Sequence, residues 1–372
     1  MVPAACQAGA IWNRMMSVLE KIKPAATGAV SPAVPDDMEL LRAAVDLTRD
    51  ISAARPAIYW SDMLLSAAVG YVALAGAIVA PGLPLALACA GLAVLALYRA
   101  LLFIHELTHI HRTALPGFRT AWNMLVGIPM LTPSFMYENV HTLHHARTRY
   151  GTAEDPEYLP LALMKPWSLP AFILISALLP VGLLLRSALL VPLGAVIPPL
   201  RALVWARASS LSINPDFRRR PVDGDFARMV RWQEGAAAVW AWTLLASTLW
   251  LGWRPLLIAL AVVSATAMFN QIRTLVAHLW QNDGEPMTVT AQYLDSVNVP
   301  PPGIWAELWA PVGLRYHALH HLLPSMPYHS LGEAHRRLTK RLGGGSTYAQ
   351  ANYPGLVPLV GRIARSTMVR GR

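Results

Sequence analysis

Nine of the chain's 12 histidines fall into a pattern. His105 and His109 frame the stretch HELTH; His141, His144 and His145 form HTLHH; His317, His320 and His321 form HALHH; and His278 closes a long apolar run. Residues at i, i+3 and i+4 lie on one side of a helix, so each segment can project its rings together. Neutral imidazole is a good ligand for zinc, copper, iron and nickel. Nine rings are too many for one tetrahedral zinc and suit two metal ions with four or five ligands each. A lone histidine is more often a satisfied polar or core side chain. That plainer reading is kept for His111, His329 and His335, but it does not account for two H-x-x-H-H segments in one chain.

HELTH also matches the H-E-x-x-H helix of zinc peptidases, in which the Glu is the base for water attack and a third ligand completes the site. Neither demand explains the other two segments, so an intramembrane zinc peptidase stays only as a competing reading. Glu106 is then either a group that orients a metal-bound ring or an ordinary solvated Glu at a helix end. Metal-bound imidazoles usually donate their other N–H to a carboxylate or carbonyl. Glu138, Asp155 and Glu157 lie near the second segment and one of them could accept it, although each taken singly reads as a surface carboxylate. Trp122, Trp280, Trp305 and Trp309 could line an acyl tunnel; anchoring at the membrane interface is the commoner use of Trp.

The elements that must position these residues are apolar. The 372-residue chain is 55% hydrophobic and 14% charged, which places it in the membrane class. Its formal charge of +10 fits a face lying on anionic headgroups or one docking an acidic protein, and both readings stay open. Arg and Lys mostly sit beside apolar spans, so no nucleic-acid partner is expected. Cys6 and Cys89 support neither a disulfide framework nor a thiolate metal site, and no signal peptide is visible.

Residues 1–35 read as a mobile leader with a short helix at Ile11 to Ile22, and 36–60 as an amphipathic helix on the membrane surface. Residues 61–330 form the membrane domain with its cap, and 331–372 a cytoplasmic tail. Met63 to Ala80 and Leu83 to Ile104 are each close to bilayer length and are broken only by Pro81-Gly82, which predicts a helical hairpin. Arg99, late in the second run, can snorkel toward headgroups. Gly235 to Trp250 and Pro255 to Ala277 predict a second hairpin. The two outer loops carry one basic residue, Arg254, so the positive-inside rule puts both tips outside and every His-rich segment in the cytoplasm. Residues 166–200, interrupted by six prolines and Arg186, read as interfacial helices in preference to another hairpin, and 201–230 as a basic connector. The expected fold is all-α and integral to the membrane. It has two transmembrane hairpins (four spans), interfacial helices, and a cytoplasmic helical cap holding a His-rich di-metal site.

HELTH, HTLHH and HALHH resemble the three histidine boxes of the membrane fatty acid desaturase family, as does their placement after the first hairpin, shortly beyond it, and well after the second. Asp155-Pro156 is similar to a dipeptide after the second box in relatives. The resemblance implies two Fe ions between four transmembrane helices and a cytoplasmic cap, with O2 as co-substrate and an external reductant. It carries His105, His109, His141, His144, His145, His317, His320 and His321 over as iron ligands. His278 matches an extra ligand at the end of the fourth helix in some members; at the position four residues earlier, where an Asn is implied for such members, this chain has Thr274. The implied activity is introduction of a double bond into a lipid acyl chain, since YGTAEDPEY and LLPSMPYH look most like bacterial acyl desaturases. Lipid hydroxylation or carotenoid hydroxylation or ketolation is the alternative, because related enzymes use similar boxes. The chain shows no C-x-x-C pairs, Gly-rich nucleotide loop or haem domain, so a separate ferredoxin-like carrier is expected. Arg218 to Arg220 could dock it, or could face anionic lipid. A bacterial inner membrane with a cytoplasmic active site is the expected location. A metal transporter is disfavoured, because the histidines fall outside or at the ends of the spans.

Overall fold

Away from water, backbone N–H and C=O groups must be satisfied within the segment that carries them, and a helix does this. The computed structural model describes residues 34–303 and 305–370. The expected leader helix and Cys6 lie outside the described residues. Among the described residues the regular structure is helical, with isolated β-bridges such as His278 to Ser296 and no named strand.

Helix α1 (Met38–Asp46) starts at Asp37, whose carboxylate accepts from the N–H groups of Glu39 and Leu40. It is much shorter than the 36–60 helix expected from sequence. Its buried Leu40 and Ala44 pack with Ala334, Leu338 and Tyr348, and the Asp37 N–H donates to Thr290. That face is therefore committed to the histidine-bearing cap.

The first hairpin is α2 (Pro56–Val79) and α3 (Leu83–Leu101), each with Pro in its first two positions, where the missing N–H costs least. Small residues line the contact: Ala67, Gly70, Ala73 and Ala77 on α2 are buried, as are Ala93 and Ala100 on α3, with Leu97 packed against Gly70. Outward-facing Leu65, Val72, Val79 and Leu83 are exposed, as a lipid-facing surface requires. Arg99 does not snorkel. Its Nε donates to Asp62 across the hairpin at 2.7 Å, and the Tyr328 hydroxyl donates to the same carboxylate at 2.7 Å. Helix α4 (Phe103–His109) continues the second span, and α5 (His141–His144) carries the second histidine segment.

The 166–200 stretch is helical, as expected, but it runs on where its prolines suggested breaks. Ser168–Val196, here α6, is one 29-residue helical run, long and apolar enough to cross a membrane. Its prolines do not break it because Pro170 lies in the first turn of the run, and Pro180 and Pro192 lie in the first two positions of segments separated by 3-10 and π-type steps. Arg186 does not split it either: it is buried against Glu234 and Ser209. Helix α7 (Pro198–Ala208) follows, so the expected connector is partly helical.

The second hairpin is α8 (Gly224–Leu251) and α9 (Trp253–Leu275), joined by Gly252 alone at φ +70°, a region that favours glycine. Asp225, Arg228, Arg231 and Glu234 make the first part of α8 polar. The helices with spanning length and composition are Pro56–Val79, Leu83–His109, Ser168–Val196 and Arg254–Leu275. Among the described residues four helices thus reach spanning length and composition, and Gly235 to Trp250 lies within α8, the partner of α9 in the second hairpin. The chain has the architecture of a multi-pass membrane protein.

The cap contains α10 (His317–Leu322), α11 (Leu331–Leu342) and α12 (Leu356–Arg370). Leu331 and Leu338 pack with α1, while Leu359 and Ile363 enter the central apolar cluster. Residues expected to form a tail are thus built into the core.

A Cβ on Gly70 would stand 2.7 Å from Leu97 Cγ and 3.1 Å from its backbone N, whereas one on Gly91 meets nothing within 4 Å. Overpacking of this kind costs about 1–3 kcal/mol. Gly70→Ala should therefore lower the thermal unfolding midpoint in detergent, and Gly91→Ala should not. Equal midpoints for the two variants would show that the hairpin is looser than this.

Candidate metal centre

Box one reaches the centre because α4 prolongs a membrane helix; His278 follows the end of α9; the other two segments are short helices in the cap. The nine histidines meet there. Ring nitrogens of His105, His109, His141, His145 and His320 lie within 4.8 Å of one another, and those of His144, His278, His317 and His321 form a second such group. The two groups adjoin, with His145 and His321 stacked at 4.3 Å between ring centroids.

Helical geometry explains the division. At 3.6 residues per turn, positions i and i+4 are about 40° apart, while i+3 lies about 60° from i on the other side. In HTLHH, His141 and His145 accordingly join the five-ring group and His144 the other. In HALHH the exchange is reversed: His317 and His321 join the four-ring group and His320 the five-ring group. The two segments interlock, each lending one ring to the other's cluster.

The donor set fits two metal ions. His141 Nε2 lies 3.0 Å from His145 Nε2, and His145 Nε2 lies 3.2 Å from His320 Nε2. In the other group His317 Nε2 lies 3.1 Å from His278 Nε2 and 3.2 Å from His321 Nε2. Ligands about 2.1 Å from a shared ion sit about 3.0–3.4 Å apart at right or tetrahedral angles. A shared proton cannot satisfy three nitrogens in a row. Both His105 nitrogens and His109 Nε2 are buried without a hydrogen-bond partner. Burial also holds His141, His145, His278, His317, His320 and His321 well below the usual imidazole pKa, in the neutral ligating form.

The outward nitrogens are fixed by oxygen acceptors. His144 Nδ1 donates to Asp155 at 2.9 Å, and the backbone N–H groups of Gly151 and Glu157 hold that carboxylate at 2.8 Å each. Burial alone would lower the His144 pKa, but Asp155 outweighs it and the net shift is upward. His141 Nδ1 donates to Glu157 at 2.8 Å, and Glu157 also accepts from Tyr137. His278 Nδ1 donates to the Tyr150 hydroxyl at 2.8 Å; Tyr150 and Tyr158 both donate to Asp295 at 2.9 Å. Burial pushes Glu157 up to about 7 and Asp295 up to about 6. Bonds of this kind set each ring's tautomer and direction.

Asp155 and Glu157 are therefore not the surface carboxylates that each reads as singly. Glu138 is buried too, but it faces Arg119 and accepts from Ser134 rather than from a histidine. Glu106 is not solvated: it accepts from the Tyr59 hydroxyl and the Tyr328 N–H and lies 3.6 Å from His105 Nδ1. A zinc peptidase needs this carboxylate free beside a metal-bound water, so its bonds count against that reading. Trp122 and Trp280 are fully buried and donate to the Ala100 and Leu275 carbonyls, and Trp309 is buried; only Trp305 has an anchor's exposure. Arg219 is buried against the Ser209 and Glu138 carbonyls, which removes it from any docking surface. His111, His329 and His335 stand outside both groups. Sequence reasoning missed Tyr150, Asp295 and Ser296. Tyr150 lies inside the quoted YGTAEDPEY, whereas nothing local distinguishes Asp295.

The sequence model of a family described as fatty acid desaturase matches residues 81–351. A ceramide hydroxylase of Caulobacter vibrioides (strain NA1000 / CB15N) is 49% identical over 332 residues, covering 88% of this chain and 94% of the relative. With the family match covering the second helix of the first hairpin, the whole second hairpin and all nine clustered histidines, the chain belongs to the fatty acid desaturase family.

Proposed function

We propose that the chain is an O2-dependent lipid hydroxylase with two irons, acting on a ceramide-type lipid at the cytoplasmic face of a bacterial inner membrane. Its 49% identity to a ceramide hydroxylase carries the choice of reaction. This favours the alternative over the desaturation preferred from sequence; desaturation is kept as the second reading, on the family's description. In this reading His105, His109, His141, His145 and His320 hold one iron, and His144, His278, His317 and His321 the other. When bound, the irons supply the oxidising power that side-chain acid–base chemistry lacks for an unactivated C–H bond.

The chain's own part is orientation and exclusion of water. Asp155, Glu157 and the Tyr150–Asp295 pair hold His144, His141 and His278 with Nε2 facing inward. The rings are mostly sealed from solvent; His144 and His141 are each 1% exposed. Overall, one oxygen atom enters the lipid and the other leaves as water, which consumes two electrons and two protons. The electrons come from a separate ferredoxin-like carrier. Exposed Arg218 and Arg220 remain available to dock it, without Arg219.

Purified protein should contain two irons per chain by elemental analysis. His109→Ala and His317→Ala should each lower iron content, and Asp155→Asn should weaken iron binding about 10–100-fold. His111→Ala should retain both irons. Full iron content in both ligand variants would sink the ligand assignment. Lipids from a bacterial host fed a saturated ceramide should show a ceramide that has gained one oxygen, absent with His144→Ala. A product lighter by two hydrogens would establish desaturation instead.

A further inference from the structure

Four arginines among the described residues are buried: Arg186, Arg219, Arg273 and Arg315. Three have evident partners. Arg186 pairs with Glu234, Arg315 with Glu307, and Arg219 donates to the Ser209 and Glu138 carbonyls. Arg273, in the last turn of α9, is different. It is 9% exposed, it forms no ion pair with a carboxylate, and its Nε has no hydrogen-bond partner. Nη2 reaches Asn270 Oδ1 only at 3.4 Å, and the Tyr98 hydroxyl lies beside the guanidinium. The Tyr98 proton is already committed to the Trp309 carbonyl at 2.8 Å.

The position is as unusual as the lack of a carboxylate partner. Arg273 acts electrostatically on His105 in the five-ring group and on His278 and His317 in the four-ring group. It also acts on Glu157, but that carboxylate is already taken by His141 and Tyr137. The guanidinium thus sits in the last turn of α9, just before His278, within electrostatic range of both histidine groups. A channel that brought mid-chain methylenes there would need apolar walls only. In such a channel a desolvated charge with no carboxylate partner and an unpartnered Nε would be a cost with little compensation.

We propose that Arg273, with Asn270 and Tyr98, is a subsite for the oxygen-bearing junction of the lipid substrate, an amide carbonyl or hydroxyl at the head of the chains. The guanidinium donates to that oxygen, completing its own hydrogen bonding. Because the subsite lies alongside both histidine groups, the oxidised carbon is close to the polar junction and not in the middle or at the end of a chain. Arg273 is a positioning residue: it sets which carbon is presented. This inference rests on the proposed lipid oxidation but not on its outcome as hydroxylation.

The test uses the full chain in a bacterial host fed a saturated N-acyl sphingoid base, with tandem mass spectrometry to locate the modification and elemental analysis for iron. The wild type should modify a carbon near the amide. Arg273→Met should keep two irons, yet lose at least tenfold in product or scatter the modification along the chain; Arg273→Lys should recover part of the yield at the original position. Asn270→Asp, which gives the guanidinium an internal carboxylate, should act in the same direction as Arg273→Met, and it decides the matter if Arg273→Met does not accumulate. A mid-chain modification by the wild type overturns the proposal, as does Arg273→Met matching the wild type in yield and position, which would mean that the group holds only water. Loss of iron in Arg273→Met with a normal Asn270→Asp also overturns it. A double bond near the amide would sink hydroxylation and leave this subsite standing, whereas an unmodified lipid would sink both.

Discussion

Neutral imidazoles repel a change of charge when buried, and their lone pairs still need something to bind. That constraint governs this structure. Nine rings are drawn together, most of them shielded from water, with Nε2 atoms about 3 Å apart in runs that no shared proton can satisfy. Their Nδ1 atoms are spent outward where a partner is present, on Asp155, Glu157 and Tyr150. A site built this way would gain much of its stability from a bound metal, because metal-binding free energy becomes folding free energy when the ligands are dispersed in the unfolded chain.

The dispersal is wide, and the fold is arranged to overcome it. The two hairpins deliver box one and His278 as continuations of membrane helices, which fixes those rings to rigid rods. The cap brings the other two segments on short helices and is closed over them by α1, α11 and α12. Because HTLHH and HALHH each lend one ring to the other's cluster, neither cluster can be completed by one segment alone. The centre and the cap therefore form together. Asp62 ties this assembly to the first hairpin by accepting from both Arg99 and Tyr328.

The sequence revealed what repeats and hid what depends on depth and partners. Histidine spacing exposed the nine rings, and apolar length exposed both hairpins. The division into five and four was not legible, since it depends on which side of each helix faces the other segment. Asp155 and Glu157 look like loop carboxylates until the loop folds back on box two. Arg99 and Arg186 look like residues bound for water, and each is instead satisfied by a carboxylate on another helix. The prolines of 166–200 suggested breaks, but each internal one lies in an early position of a helical segment, where it is tolerated. Trp122 and Trp280 belong to the core for a similar reason: each indole N–H finds a carbonyl inside the protein.

The same logic bears on what the centre does. Histidine ligation is shared by enzymes that desaturate and enzymes that hydroxylate, so the ligands cannot select the outcome. Selection must lie in how the chain presents carbon to the metals, and hence in the walls of the site. Elsewhere this protein compensates the charges it buries: Glu234 receives Arg186 and Arg201, and Glu307 receives Arg315. A guanidinium left without such a partner beside both histidine groups makes that wall polar on one side. It biases the site toward a substrate that brings its own oxygen atoms into the reaction zone and against a plain hydrocarbon segment. On the proposed reading the histidines would supply reactivity through the iron they hold, and the uncompensated charge on the last turn of α9 would supply the direction in which that reactivity is aimed.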